Sequence, residues 1–581
     1  MNLFDAANIN ILWGNLIVEE LVRHGVSYFI VSPGSRSTPL TVAIARNSEA
    51  QRRVFFDERG AAFHAIGYGR ATGKPAVLVS TSGSAAANYF PAIIEAATDN
   101  LPMIIMSADR PPELRKTGAN QTIDQVNLYG DYVRWKFDIP CPDEKISPTF
   151  VLTTIDQAVY RAQRSPQGPV HLNCMFREPL APTNSAITLG YTLPLKRWLS
   201  SSSPWTDYPT PLVRQTADNI KEISEILNNS QTGILALGRL SSISQIQAVS
   251  ELAKRLQFPV FSDIRSGCRL GNKIDKQLLL TDIRQSYKPL ETVIQIGDRI
   301  LSKRFLEYLE IHPPRHYIMI ADEPSRHDPA HIVSHRIESN IEQLCEELSP
   351  LLDPNICQDW QDKLWLKSAK IRETIDTYLI NESSLNEMAI ANLVSRHIPA
   401  DTGLFLANSM PIRDMDEYGI YGGNSVRIAA NRGTSGIDGI IASATGFGQG
   451  LNTPTTLLIG DLAFLHDLNS LSMVNALNHP LWIIAINNNG GGIFSFLPIA
   501  KFNDVFENYF GTPHHLNFDH AAQLFNIKYF SPQTQEEFVR DYQQAIASQT
   551  SAIIEVQTNR KHNQELHQDL AEKIQEISWR F

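Results

Sequence analysis

Two polar clusters 27 positions apart (488 − 461) hold the clearest chemistry in this sequence: Gly460-Asp461-Leu462, and Asn487-Asn488 with Gly490 just beyond. A carboxylate, an amide oxygen and a backbone carbonyl are hard oxygen donors, and three of them make half of an octahedral Mg²⁺ shell. The remaining positions are open to water and to the oxygens of a diphosphate. Each cluster closes an apolar run, Thr455 to Ile459 before the first and Leu481 to Ile486 before the second. Short apolar runs bounded by glycine or polar residues predict buried parallel strands. Ligands of such sheets sit beyond the carboxyl ends of the strands. The interval holds a strand, a crossover helix over about 467–478 and the next strand. Gly490 is expected to leave its carbonyl exposed.

A second carboxylate lies far upstream. Asp57-Glu58-Arg59 follows the predicted strand over 53–56 and opens a predicted helix over 60–70. A helix-start carboxylate favoured by the dipole is the simplest reading of Glu58. Four arginines, Arg36, Arg110, Arg413 and Arg432, also occur at strand-end or glycine-rich positions. The planar guanidinium fork suits bidentate carboxylate binding, where lysine acts as a point charge.

Three αβ blocks are expected to position these groups. In the first, a helix over 11–24 ends at Gly25, and strands follow at 28–31, 53–56, 76–79 and 103–106, with helices over 60–70 and 85–97 between them. Residues 183–214, rich in Pro, Ser and Thr, read as a connection. The second block begins with a helix over 217–227 and has strands at 233–237, 259–261, 292–296 and 317–320. After a charged stretch over 358–372 the third block starts near Leu385. The fold class is therefore α/β: three domains, 1–182, 183–376 and 377–581, each a parallel sheet flanked by helices. Blocks one and three are candidates for sheets of the same kind.

Composition limits the function classes. A chain of 581 residues with 43% hydrophobic and 19% charged residues reads as a soluble, multidomain protein, and a formal charge of −10 argues against general nucleic-acid binding. The five cysteines show no CxxC spacing, which fits a reducing compartment without disulfide framework or zinc site. No run approaches a membrane span and no basic leader precedes an apolar stretch. A cytoplasmic location is expected. No Gly-x-Gly-x-x-Gly follows a first strand, and there is no Gly-x-x-x-x-Gly-Lys-Ser/Thr loop.

Taken together, the Asp461 and Asn488 clusters resemble the metal–diphosphate motif of thiamine diphosphate enzymes, although that family usually has Gly where this chain has Leu462. Other motifs narrow the resemblance: Ser32-Pro33-Gly34-Ser35-Arg36, Asp57-Glu58-Arg59-Gly60, Ala108-Asp109-Arg110-Pro111 and Gly118-Ala119-Asn120-Gln121 in the first block. The third block adds Asn408-Ser409-Met410-Pro411-Ile412-Arg413, Asn431-Arg432-Gly433-Thr434 and Asn488-Asn489-Gly490-Gly491-Gly492-Ile493-Phe494. As a set they are similar to the 2-succinyl-5-enolpyruvyl-6-hydroxy-3-cyclohexene-1-carboxylate synthases (the MenD family) of menaquinone and phylloquinone biosynthesis. The likeness is densest in blocks one and three and weakest over 183–376.

That resemblance implies a thiamine diphosphate-binding fold and a decarboxylating transfer from 2-oxoglutarate to isochorismate, with release of CO₂. It implies thiamine diphosphate and Mg²⁺, with Mn²⁺ as a substitute. It also implies a homodimer or homotetramer with sites at the subunit interface. Glu58 would face the aminopyrimidine ring, where burial raises a carboxylate's pKa and favours a shared proton with a ring nitrogen. Asp461, Asn488 and Gly490 would hold the metal. Gly460, Leu462, Ser409, Ile437 and Ile493 would line the cofactor, with Ile437 as an apolar wedge beneath it. Arg413 and Arg432 would bind 2-oxoglutarate; Ser35, Arg36, Arg110 and Lys303 would face isochorismate. Gln121, beside Asn120, replaces the histidine pair of many aldehyde-releasing relatives and bonds without readily supplying a proton. Ile493, Phe494 and Leu497 would form an apolar wall around the acceptor. The pair His514-His515 reads as structural or surface. Two alternatives share these motifs: another 2-oxoacid decarboxylase or carboligase, and an inactive scaffold.

Overall fold

The protein is described by a computed structural model over residues 6–271, 274, 277–279 and 290–579. Three parallel sheets organise these residues. The first contains β1 (Tyr28–Val31), β2 (Gln51–Val54), β3 (Ala76–Ser80), β4 (Met103–Asp109), β5 (Trp135–Ile139) and β6 (Pro169–Met175) in the order β2-β1-β3-β4-β6-β5. The second contains β7 (Gly233–Leu237), β8 (Val260–Ser262), β9 (Thr292–Ile296), β10 (His316–Ala321) and β11 (His335–Glu338) in the order β11-β10-β9-β7-β8. The third contains β12 (Gly403–Leu406), β13 (Arg427–Ala429), β14 (Thr455–Gly460), β15 (Leu481–Asn487), β16 (Lys528–Phe530) and β17 (Ala552–Gln557) in the order β13-β12-β14-β15-β17-β16. Renumbered within its own sheet, the third repeats the first strand for strand.

The central strands form because helices cover both faces, so nearly every residue is apolar and buried. Burying each large side chain of Leu457, Leu458 and Ile459 contributes about 2 kcal/mol. In both six-stranded sheets the order reverses beside the first strand, between β1 and β3 and between β12 and β14. Such switch points open a crevice at the carboxyl edge.

By compactness the chain forms two units. One takes the chain up to Pro211 with Asn431–Asn452 and His466–Asn478; the other takes Leu212–Ala430, Thr453–Leu465 and the chain from His479 on. In the first unit, helix Glu58–Thr72 packs on helix Ile440–Leu451 almost backbone to backbone. A Cβ at Gly67 would lie 1.9 Å from the Ser443 carbonyl oxygen, and one at Gly446 would lie 1.9 Å from that of His64. His64 is sealed between the Tyr28 hydroxyl and Thr445 Oγ1, each at 2.8 Å, and burial lowers its pKa to about 3. It is a neutral structural histidine.

Several elements differ from expectation. Strand β2 ends at Val54, and Phe56 is exposed, because an edge strand with one neighbour leaves half its surface unpaired. The helix over 85–97 is two, Ser84–Asn88 and Phe90–Thr98, with Pro91 in the first turn of the second. Strands β5 and β6 and helix Pro148–Gln163 were not legible. In β6 the apolar run is broken by His171 and Asn173, whose polar atoms bond Ser107 Oγ (2.7 Å) and Gln125 Nε2 (3.0 Å). The segment over 467–478 is a 3₁₀ helix, Leu468–Ala476, preceded by a short α-helix, Asp461–His466.

Candidate active site

In the second unit, β14 delivers Asp461 and β15 delivers Asn488 to the switch-point edge. Asp461 is 2% exposed. Its Oδ1 accepts the Leu462 N–H at 2.7 Å; its Oδ2 accepts the Gly490 N–H at 2.8 Å and lies 3.2 Å from His514 Nε2. Burial raises the Asp461 pKa, opposed by the Gly490 N–H, His514 and the Leu462 N–H. Asn488 is 7% exposed; its Nδ2 donates to Glu387 Oε1 at 2.8 Å, while its buried Oδ1 has no hydrogen-bond partner among the described residues. A buried acceptor left unpaired costs about 1–3 kcal/mol, which a cation would offset. A carboxylate beside an orphaned amide oxygen is a donor set suited to Mg²⁺ or Mn²⁺, so the residues fit a divalent ion.

Gly490 departs from expectation. It is buried at φ +135, and its carbonyl already accepts the Gly492 N–H at 2.9 Å, leaving one lone pair rather than a wholly free oxygen. A Cβ there would lie 1.9 Å from the Gly511 carbonyl oxygen, so only glycine fits.

In the first unit, Asp57 and Arg59 are tethered and Glu58 between them is not. Asp57 caps helix Glu58–Thr72 through the Gly60 N–H (3.3 Å) and accepts from Asn469 Nδ2 (3.3 Å). Arg59 donates to the His466 carbonyl at 2.8 Å and lies 3.6 Å from the buried Asp467 carboxylate. Asp467 in turn accepts from the Ala442 N–H (3.0 Å) and Ser470 Oγ (2.8 Å), and burial pushes its pKa up to about 6. Among the described residues no group donates to the half-buried Glu58 carboxylate.

The same unit gathers two cations. Arg36 donates to the Phe176 carbonyl at 2.9 Å and keeps a buried, unpartnered Nε; Arg110 donates to Ser82 Oγ. Partial burial lowers the Arg110 pKa, and the nearby Arg36 charge lowers it further. Asp109 and Glu178 act in the opposite direction, and the Glu178 carboxylate lies 3.5 Å from Arg36. Ser35, Asn120 and Gln121 are exposed, with Gln121 in the left-handed region (φ +55) next to Gly83.

Comparison with known proteins decides what such an arrangement belongs to. "Thiamine pyrophosphate enzyme, N-terminal TPP binding domain" matches residues 13–128, "Middle domain of thiamine pyrophosphate" matches 190–406, and "Thiamine pyrophosphate enzyme, C-terminal TPP binding domain" matches 423–556. A 2-succinyl-5-enolpyruvyl-6-hydroxy-3-cyclohexene-1-carboxylate synthase from Rubrobacter xylanophilus is 45% identical, over 97% of this chain and 98% of that relative. Its counterpart from Salinibacter ruber is 42% identical, over 99% and 98%. The chain belongs to this synthase family. It is a thiamine pyrophosphate-dependent enzyme. A benzoylformate decarboxylase from Polynucleobacter necessarius shares the fold at 16% identity, with a TM-score of 0.71, over 94% of this chain and 98% of that one.

Other synthase candidates lie as follows. Ser409, at φ +73, starts helix Met410–Tyr418, and its carbonyl accepts from the exposed Arg413. Arg432 is half-buried in a loop of the first unit, where Glu95 accepts the N–H groups of Gly433 (2.8 Å) and Thr434 (2.6 Å) while pairing with Arg70 (2.9 Å). Ile437 is 40% exposed, a projecting side chain rather than core. Gly460, Ile493 and Phe494 are partly buried, and Leu497 is exposed. Lys303 opens helix Lys303–Ile311 with its side chain exposed and paired with Glu307 at 3.1 Å.

Three contacts made by these candidates, each within its own unit, were not read from the sequence. His514, read as structural or surface, touches Asp461. Glu387 holds Asn488. The Arg70–Glu95 pair fastens the Arg432 loop. None has a local signal, since each meets its partner at long sequence separation. The Asn487 side chain, once grouped with Asn488, instead bonds Glu555 (2.6 Å) and the Leu516 carbonyl (2.8 Å).

Proposed function

We propose that this synthase decarboxylates 2-oxoglutarate and adds the resulting four-carbon unit to isochorismate, releasing CO₂, with thiamine diphosphate and Mg²⁺ (or Mn²⁺) bound. When bound, the cofactor supplies the nucleophilic carbon and the electron sink that loss of CO₂ from a 2-oxoacid requires. Asp461 and Asn488 ligate the ion, with the Gly490 carbonyl contributing its remaining lone pair. Gly460, Leu462 and Ser409 border the diphosphate. Glu58 holds a proton at the pyrimidine ring nitrogen, a role supported by its freedom from the tethers that engage Asp57 and Arg59. Ile437 and Ile493 orient the cofactor by packing, a gain of position rather than of proton transfer.

Arg413 and Arg432 bind the two carboxylates of 2-oxoglutarate. Ser35, Arg36, Arg110 and Lys303 bind those of isochorismate, supported by the convergence of Arg36 and Arg110. Asn120 and Gln121 donate amide hydrogen bonds but release no proton, which favours carbon–carbon bond formation over protonation and aldehyde release. Ile493, Phe494 and Leu497 exclude water around the acceptor ring. Domains at 1–182, 183–376 and 377–581 would assemble as a homodimer or homotetramer whose subunits share sites, in the cytoplasm.

One observation carries this reading: the buried Asn488 Oδ1, without a hydrogen-bond partner among the described residues, one strand over from buried Asp461. The test is product analysis with 2-oxoglutarate, thiamine diphosphate and Mg²⁺, with and without isochorismate. An isochorismate-dependent adduct and matching CO₂ are expected. Aldehyde as the main product in both reactions would move the chain to the simple decarboxylases, and calorimetry showing no thiamine diphosphate binding would refute the assignment altogether.

A further inference from the structure

An asparagine amide has two ends of nearly equal size and opposite character. Its oxygen attracts a cation, whereas its NH₂ repels one. A metal site using Asn488 therefore needs something to fix which end is presented. Among the described residues, Glu387 is the charged side chain hydrogen-bonded to that amide, taking the Nδ2–H at 2.8 Å. It is the first residue of helix Glu387–His397, whose cap is Asn386, and it is 1% exposed. Thr558 Oγ1 also donates to Glu387 Oε1, at 3.4 Å. Gly492 closes on the amide from another direction: a Cβ there would lie 2.5 Å from Asn488 Nδ2.

No lysine or arginine pairs with Glu387 among the described residues, and the nearby His567 is bound to Asp414 at 3.0 Å. An apolar side chain of similar shape would fill the space at less cost than a buried carboxylate. What an apolar side chain cannot do is accept the amide N–H.

We propose that Glu387 is a positioning residue which, by accepting the Asn488 Nδ2–H, fixes the amide with Oδ1 as the atom left for the metal ion. This rests on the reading of Asp461 and Asn488 as ligands. It explains why position 488 carries an amide rather than a second carboxylate: a carboxylate would face Glu387 with no hydrogen to offer.

The test is Mn²⁺ affinity, read by electron paramagnetic resonance on the full-length protein with thiamine diphosphate, alongside circular dichroism and melting temperature. Glu387→Met removes the acceptor but keeps the bulk, and should weaken Mn²⁺ binding by about 10- to 100-fold. Glu387→Gln keeps a carbonyl acceptor and should stay near wild type. Asn488→Asp should bind weakly when Glu387 is present and recover in combination with Glu387→Gln, whose amide can donate. Wild-type affinity in Glu387→Met, with Asp461→Ala weakened, overturns the positioning role and leaves the metal reading standing. Unchanged affinity in Asp461→Ala removes the metal reading itself. Should Glu387→Met fail to fold, the paired Asn488→Asp and Glu387→Gln variants decide, and absence of recovery overturns the proposal.

Discussion

The first and third sheets have the same strand order, the same all-parallel sense and the same switch point, yet their carboxyl edges carry opposite chemistry. The edge of the first gathers the guanidiniums of Arg36 and Arg110 beside Asp109 and Glu178, and Glu58, whose carboxylate has no hydrogen-bond donor among the described residues. The edge of the third gathers Asp461, Asn488 and the buried acids behind them, Glu387 and Asp414. The strand order is shared, and the residues at the strand ends and the first turns of the following helices set the charge of each edge.

That contrast can be broken in steps. Glu58→Gln should reduce turnover by about 10²- to 10⁴-fold, the range of positioned proton transfer, while thiamine diphosphate affinity by calorimetry stays put. Unaltered hydrogen exchange at the thiazolium C2, followed by NMR, would strip Glu58 of its role. At the other edge, Asp461→Ala should lower Mg²⁺-dependent cofactor affinity by about 100-fold, since it removes a ligand and not merely its support. Equal binding isotherms for variant and parent would show that the acidic edge is not the metal edge. Arg413→Ala should raise the KM for 2-oxoglutarate about tenfold or more, the worth of a charged hydrogen bond. A steady-state profile indistinguishable from wild type would return Arg413 to the surface.

The fourth step uses pH. The folded-state pKa of Asp467 lies near 6, above the ordinary carboxylate value, because of burial. The folded form therefore binds the proton more tightly than the unfolded chain does. Its contribution to stability is full below about pH 4 and is lost as pH rises through about 6. Asp467→Asn should abolish that part of the slope in melting temperature, and an unchanged slope would refute it. Lys303→Ala should have the smallest effect, a rise of about two- to fivefold in the KM for isochorismate, as expected for one exposed charge. No change in that KM would remove Lys303 from the acceptor site.

Much of the third sheet was legible because its central strands are unbroken apolar runs ending in polar punctuation. The expected strands at 28–31, 233–237 and 292–296 coincide with β1, β7 and β9. Strand β6 escaped because His171 and Asn173 are buried by hydrogen bonding, which no hydropathy pattern records. Strand β2 was displaced because an edge position lets Arg52 and Arg53 stand where buried residues would otherwise mark the strand. The strand-end placement of Asp461, Asn488 and Glu58 could be read from the residues flanking predicted strands. Their supports could not: His514 is 53 positions from Asp461 and Glu387 is 101 from Asn488. Such pairs exist only once the sheet has folded.

The helix that begins with Glu58 owes its seat to atoms that are missing. At Gly67 and Gly446 the crossing leaves no room even for a methyl group, so Gly67→Ala would act as a wedge nine residues along from Glu58 (67 − 58). A substitution remote from Glu58 would then shift that carboxylate while leaving it chemically intact.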